Sequence, residues 1–396
     1  MMKHLFTAVI ATMTLASCTT QEESIAQLSD KIFSLAEKQF IILAENLPDE
    51  RAPKYLNLKD SLITSDMNWW CSGFFPGSLW LTYEKTGNEE ILELAKGNTL
   101  KLSTLLDHKT DHDIGFQINN SYGHAYRITK DEKWKSMILA AAERLATRYN
   151  PVTKTLKSWD FVPEGRDWNW PVIIDNMMNL ELMTNAAKLY NRDDLKEIAI
   201  AHANTTLQNH FRKDYSTYHL VDYDSISGNA RLHQTFQGFA DESAWARGQA
   251  WTIYGYTMMA RETGIETYLQ QAEHIAEYLL KRLPEDGIPF WDFDSGKIPD
   301  DFRDASAGAI MASAFAELSA LTKNKNLAMK SREMAEKQVR TLASPAYLAE
   351  EGTNGGFLLK HSVGNIPGGT EIDVPLTYAD YYFLEALSRL TVLLSH

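Results

Sequence analysis

The sequence predicts an all-α fold, an (α/α)6 toroid of six helical hairpins. Three observations carry that prediction. From Ile25 onward helical spacing dominates and strand signals are sparse. The helical segments alternate between amphipathic ones and ones that are apolar nearly all round. The turns that leave the apolar segments resemble one another, as in a weak internal repeat of hairpins.

Residues 1–17 precede the repeat and carry one charge, Lys3. The apolar run from Leu5 to Leu15 is too short to span a bilayer and has the proportions of a signal-peptide core. It ends in Leu15-Ala16-Ser17-Cys18, which resembles a bacterial lipoprotein signal with Cys18 as the lipidated residue. The expectation is an exported lipoprotein, periplasmic or anchored at the outer membrane, that meets the membrane only through its lipid. Residues 18–24 would then be the lipidated cysteine and a short linker, and 25–396 a single toroid domain.

The first helix, 25–46, places Ile25, Leu28, Ile32, Leu35 and Ile42 on one face and Asp30, Lys31, Glu37 and Lys38 elsewhere, so it belongs on the outside. An inner segment at 75–86 and an outer one at 89–106 follow, then inner 116–129 and outer 131–149. Inner 172–190 is the most apolar, with Met177, Met178, Leu180, Leu182, Met183 and Leu189 covering every face. Those methionines read as core packing. Outer 192–210, inner 243–263, outer 266–283, inner 304–322, outer 325–342 and inner 375–393 complete the count. Turns such as Glu84-Lys85-Thr86-Gly87-Asn88 and Arg261-Glu262-Thr263-Gly264-Ile265 link inner to outer helices. An open solenoid is the competing architecture. The longer loops and the aromatic-rich inner set favour closure.

Alternating hairpins make all inner helices run the same way, so their N-terminal ends gather on one rim. Long polar and aromatic segments precede those ends, which marks that rim as the active face. It carries Trp69-Trp70-Cys71-Ser72-Gly73-Phe74, His112-Asp113, Trp168-Asn169-Trp170 with Ile174-Asp175-Asn176, and the stretch from Gln237 to Trp251. Trp291-Asp292-Phe293-Asp294, Asp304 and His361-Ser362 complete it. Indole faces pack on sugar rings, and carboxylates bind hydroxyls or move protons, so the composition is that of a carbohydrate site. Asp113, Asp241 and Asp304 also sit where helix caps are expected. Asp175 is different: it follows Pro171 by one turn inside the most apolar helix, where a charge is costly without a purpose or partners.

Several chemistries are disfavoured. The chain of 396 residues is 44% hydrophobic and 11% aromatic, and its net charge of -13 argues against a nucleic-acid partner. Two cysteines, Cys18 and Cys71, are too few for a disulfide framework or thiolate cluster. The Asp292-Phe293-Asp294-Ser295-Gly296 loop lacks the fifth-position oxygen ligand and sixth-position glycine of a calcium loop. No metal site and no cofactor is expected.

From about Trp69 to Glu385 the motifs, together with Tyr378-Ala379-Asp380-Tyr381-Tyr382, resemble the unsaturated glucuronyl hydrolases, glycoside hydrolase family 88. That family is an (α/α)6 toroid, in agreement with the helix count. The resemblance implies Asp175 as general acid/base and Asp113 as its assisting carboxylate. It also implies His112, His219 and Gln237 as uronate contacts, Trp159, Trp245 and Trp251 as stacking walls, and Arg247 near the sugar's negative groups. Trp70, adjacent to Trp69, and Ser362 are carried over as further substrate contacts. The implied substrate is a small oligosaccharide ending in a 4,5-unsaturated uronic acid, the product of a polysaccharide lyase acting on glycosaminoglycan. Protonation at C4 and addition of water at C5 would release it, so the carboxyl-separation rule for ordinary glycosidases does not apply. Two other readings remain: a hydrolase of unsaturated rhamnogalacturonyl units from pectin, and a non-catalytic glycan-binding lipoprotein.

Overall fold

A computed structural model describes residues 23–109 and 111–394, so Cys18 and the proposed signal lie outside the described residues. In chain order the elements are α1 (Ile25–Glu45), β1 (Ala52–Leu56), β2 (Leu62–Ser65), α2 (Phe74–Thr86), α3 (Glu89–Lys101), α4 (Ile114–Ile118), α5 (His124–Thr129) and α6 (Lys135–Ala146). Next come β3 (Tyr149–Asn150), β4 (Thr155–Leu156), β5 (Trp170–Ile173), α7 (Asn176–Tyr190), α8 (Asp193–Asn209), β6 (Leu220–Tyr223) and β7 (Ala230–Gln234). The last are α9 (Ala246–Thr263), α10 (Glu266–Arg282), α11 (Ala305–Leu321), α12 (Lys325–Leu342), β8 (Ser362–Asn365), β9 (Thr370–Val374) and α13 (Thr377–Leu394).

One wide turn, Asn119–Gly123, joins α4 to α5, and the two act as a single inner helix. The inner ring closes: α2 meets that composite helix, which meets α7, then α9, α11 and α13, and α13 returns to α2. The toroid expected from the sequence is therefore present and is not an open solenoid.

Burial explains the alternation. Outer α1 opens with a Ser24–Gln27 capping box and buries one stripe through Ile25, Leu28, Ile32, Phe33 and Phe40. Inner α11 touches α9, α12 and α13, and every residue from Ala305 to Ala316 is buried. Small side chains there let three helices approach. The recurring turns have a shared cause: Gly87, Lys130, Asn191 and Gly264 all end inner helices in the left-handed conformation.

Sequence periodicity missed the small sheets on the active rim. The inner helix expected at 172–190 begins at Asn176, and Trp170–Ile173 is instead an edge strand of the antiparallel β5-β6-β7 sheet. β-Branched Val172 and Ile173 suit a strand, and Pro171 is tolerated on its open edge. β1 pairs with β2, β3 with β4 and β8 with β9.

Candidate active site

The β5-β6 pairing sets the first contact. Ile173 lies opposite Leu220, and the Ile174 amide donates to the His219 carbonyl at 2.9 Å, so Asp175 and His219 emerge side by side. Asp175 occupies the N-cap position of α7, not the helix interior the sequence suggested, and its side chain caps nothing. Its Oδ1 has no hydrogen-bond partner and lies 3.8 Å from His219 Nε2. The Phe236 amide donates to His219 Nδ1 at 3.0 Å, which assigns the ring proton to Nε2, the atom facing Asp175. Burial, then the Arg247 charge, lowers the imidazole pKa to about 3, so the ring is neutral.

Asp175 is 8% exposed. Burial pushes its carboxyl up to about 6, against the downward pull of Arg247, its own backbone amide and the Trp251 indole. A carboxyl titrating there can exist in both proton states near neutrality.

Asp113 reaches the same cleft from the turn before α4, and it too makes no capping bond. Its carboxyl is raised well above the usual range by burial first, and then by the charges of Asp111 and Asp175. While Asp113 stays neutral it sets no charge against Asp175. His112 Nε2 lies 3.5 Å from Asp113 Oδ1. Burial holds the His112 pKa well below its ordinary value.

The sequence reading missed the residue that ties these groups together, Asn179, one helical turn after Asp175. Its Oδ1 accepts from the Phe116 amide at 2.8 Å, and its Nδ2 lies 3.4 Å from His112 Nδ1. It also pulls the Asp113 pKa down, against burial. A Cβ on Gly115 would collide with Asn179 Oδ1, so the glycine allows this approach. The available signal was a polar side chain four residues after Asp175 in an apolar helix.

Aromatic rings line the rest. Trp245 packs on His219 at 4.6 Å. Trp251 packs on Phe116 at 5.2 Å, Phe116 on Trp70 at 5.6 Å, and Trp70 on Tyr378 at 4.8 Å. Of the two adjacent indoles, Trp70 joins this chain, whereas Trp69 is 40% exposed beneath the Lys54 ammonium. Half-buried Trp159 lies 6.0 Å from the His219 ring.

Arg247 is near the cleft but committed elsewhere. Its guanidinium donates to the Val363 and Gly364 carbonyls of β8, lies 3.7 Å from Asp304 Oδ2 and stacks 4.4 Å over Trp245. Gln237 lies alongside, with its amide 3.4 Å from His219 Nδ1 and its Nε2 3.5 Å from the Gly364 carbonyl. The Ser362 hydroxyl, at the start of β8, is buried without a partner.

The other rim carboxylates are structural. Asp304 caps α11 at the Ser306 amide, Asp241 accepts from the Thr235 amide, and Asp292 binds the Phe239 amide and the Ser243 hydroxyl. No group of three or more His, Cys, Asp or Glu residues suited to a metal occurs among the described residues. A cavity of about 870 Å³ opens at the opposite end of the toroid, lined by Glu181, Arg261, Glu317, Tyr381 and Arg389 and by none of the expected site residues.

The chain matches the family described as Glycosyl Hydrolase Family 88 over residues 49–385. It is 46% identical over 323 residues to the unsaturated glucuronyl hydrolase of Formosa agariphila, covering 81% of this chain and 79% of that one. It is 31% identical to the unsaturated chondroitin disaccharide hydrolase of Streptococcus pyogenes, covering 81% and 80%. A solved unsaturated glucuronyl hydrolase specific for heparin superposes with a TM-score of 0.89 at 42% identity, over 93% of this chain and 98% of that one. With a match this extensive on a closed helical toroid, the chain belongs to glycosyl hydrolase family 88.

Proposed function

We propose that the protein removes the 4,5-unsaturated uronic acid from the non-reducing end of lyase-generated glycosaminoglycan oligosaccharides. The observation that carries the chemistry is the buried Asp175 carboxyl, with an unpartnered oxygen 3.8 Å from His219 Nε2 and a pKa pushed up to about 6. Its acid form donates a proton to C4 of the enol ether, and positive charge develops on C5 and the ring oxygen. Its conjugate base then takes a proton from the water that adds to C5. The hemiketal opens to a ketone, and the aglycone leaves C1 as an alcohol, so the proton borrowed from Asp175 is returned by water. His219 offers Nε2–H to the carboxylate form of Asp175 or to the uronate, and the fully buried Trp245 and Trp251 back the site behind His219 and Phe116 and present no open face for stacking. Asn179 braces His112, next to Asp113, and we assign Trp70 and Gln237 to substrate ring faces and hydroxyls, with the buried Ser362 hydroxyl behind them. Trp159 and Arg247 shape the cleft from behind its surface.

Relatives named for glucuronyl and chondroitin disaccharide hydrolysis support glycosaminoglycan over pectin fragments as the source. The structure specific for heparin makes unsaturated heparin disaccharides the first to try. The test is loss of the ultraviolet absorbance of the unsaturated uronate across heparin, chondroitin, hyaluronan and rhamnogalacturonan lyase products. Turnover of the last alone would refute the glycosaminoglycan assignment. Saturable binding with no absorbance change would make the protein a binder. Lipidation at Cys18 and export to the periplasm or outer membrane belong to the same proposal. Loss of membrane association in Cys18→Ala, with activity intact, is the expected result.

A further inference from the structure

The expected stacking wall Trp159 does not present an open face alone. The Phe161 ring lies against it at 5.1 Å and 25°, while Trp168 flanks it at 5.9 Å. Phe161 is the outer member of this stack and is 49% exposed, beside Val162 at 49%. Phe236 braces both Trp159 and Phe161, at 5.5 Å and 5.9 Å. Phe161 and Val162 are neighbours in sequence, so what is exposed here is a joined apolar surface on an aromatic stack and not one scattered side chain.

The support is rigid. Ser158 donates its amide to the Pro171 carbonyl and accepts the Ile173 amide on its hydroxyl, which ties the loop to β5. On the other side of Trp159, the Asp160 carboxylate is held by Arg148 and Lys109. Ring-to-ring steps of 6.0 Å and 5.1 Å lead from His219, beside Asp175, through half-buried Trp159 to exposed Phe161. A sugar chain that followed those rings outward would meet Phe161 beyond its first aglycone unit. Another exposed rim aromatic, Phe239 at 52%, meets Trp291 edge-on at 79° and is not stacked on a ring.

We propose that Phe161, seated on Trp159, is a stacking platform for the second sugar on the reducing-end side of the cleaved bond. It would make the enzyme favour oligosaccharides longer than disaccharides. The inference rests on the activity proposed above. Carbon–hydrogen faces of a pyranose pack on the open phenyl face, and the preformed loop needs no ordering on binding.

The test compares kcat/KM for an unsaturated disaccharide and the tetrasaccharide of the same glycosaminoglycan in the wild type, Phe161→Ala, Phe161→Tyr and Phe239→Ala. Phe161→Ala is expected to lower the tetrasaccharide value roughly five- to tenfold, carried by KM, and to leave the disaccharide within about twofold. Phe161→Tyr keeps both values, and Phe239→Ala changes neither. An equal loss on both lengths, or no loss on either, overturns the platform, as does a wild type that accepts only the disaccharide. If the wild type consumes neither substrate, the activity reading fails first and the platform with it.

Discussion

Replacing Asp175 by asparagine tests the central chemistry and its thermodynamic cost in one variant. The carboxyl is raised from an ordinary 3.8 to about 6, chiefly by burial. Between those values the folded protein binds more protons than the unfolded chain, so stability falls as pH rises through that window. A tenfold change in proton affinity corresponds to about 1.4 kcal/mol, so the ionised group costs the fold about 3 kcal/mol once both states are deprotonated. Asp175→Asn is nearly isosteric and carries no charge. It is expected to lose almost all turnover while becoming more stable than wild type, by less than about 1 kcal/mol at pH 4 and by about 3 kcal/mol at pH 8. Urea unfolding of both proteins across that range, beside the absorbance assay, reads both quantities. A stability difference that does not change with pH would refute the buried-carboxyl argument. Near-normal turnover in the variant would refute the role.

Other predictions follow from neighbouring groups. Because the acid form of Asp175 begins the reaction, wild-type kcat/KM is expected to fall about eightfold between pH 6.5 and 7.5, and a flat profile there would exclude it as the proton donor. Trp70→Ala should raise KM several-fold while Trp69→Ala stays within about twofold, since only Trp70 joins the ring contacts that reach Trp251; the reverse order would exchange their roles. Arg247→Met removes the partner of buried Asp304 and two donors to β8, so a loss of about 3–5 kcal/mol in urea unfolding is expected. The same variant should move the falling limb of the pH profile to higher pH, because Arg247 pulls the Asp175 pKa down. Wild-type stability in Arg247→Met would show that the guanidinium is not an anchor.

The toroid was legible in the sequence because each inner helix has neighbours on several sides and must be apolar all round, a pattern that survives single exceptions. The rim was less legible. Val172 and Ile173 after Pro171 fit the first turn of a helix as well as an edge strand, and the deciding partner, Leu220–Tyr223, is distant in sequence. Asp175 was identified as costly to ionise, yet for a position inside a helix that it does not occupy. Its burial comes from the strand, His219 and the aromatic wall. Asn179 escaped notice because its partners are an amide and side chains from another hairpin. Side-chain chemistry leaves a trace in the sequence, whereas backbone partners leave none.

Arg247 shows why that distinction matters for function. A free guanidinium beside Asp175 would have been the simple reading of a charge in an apolar helix, and it suits an acidic substrate. It would also hold the catalytic carboxyl ionised, with too little acid form near neutrality to protonate carbon. Two β8 carbonyls and the Asp304 carboxylate instead take up the guanidinium. The cation still lowers the Asp175 pKa, but burial wins and the carboxyl settles at about 6. The β8 strand thus holds in place the cation that lowers the pKa of the proton donor.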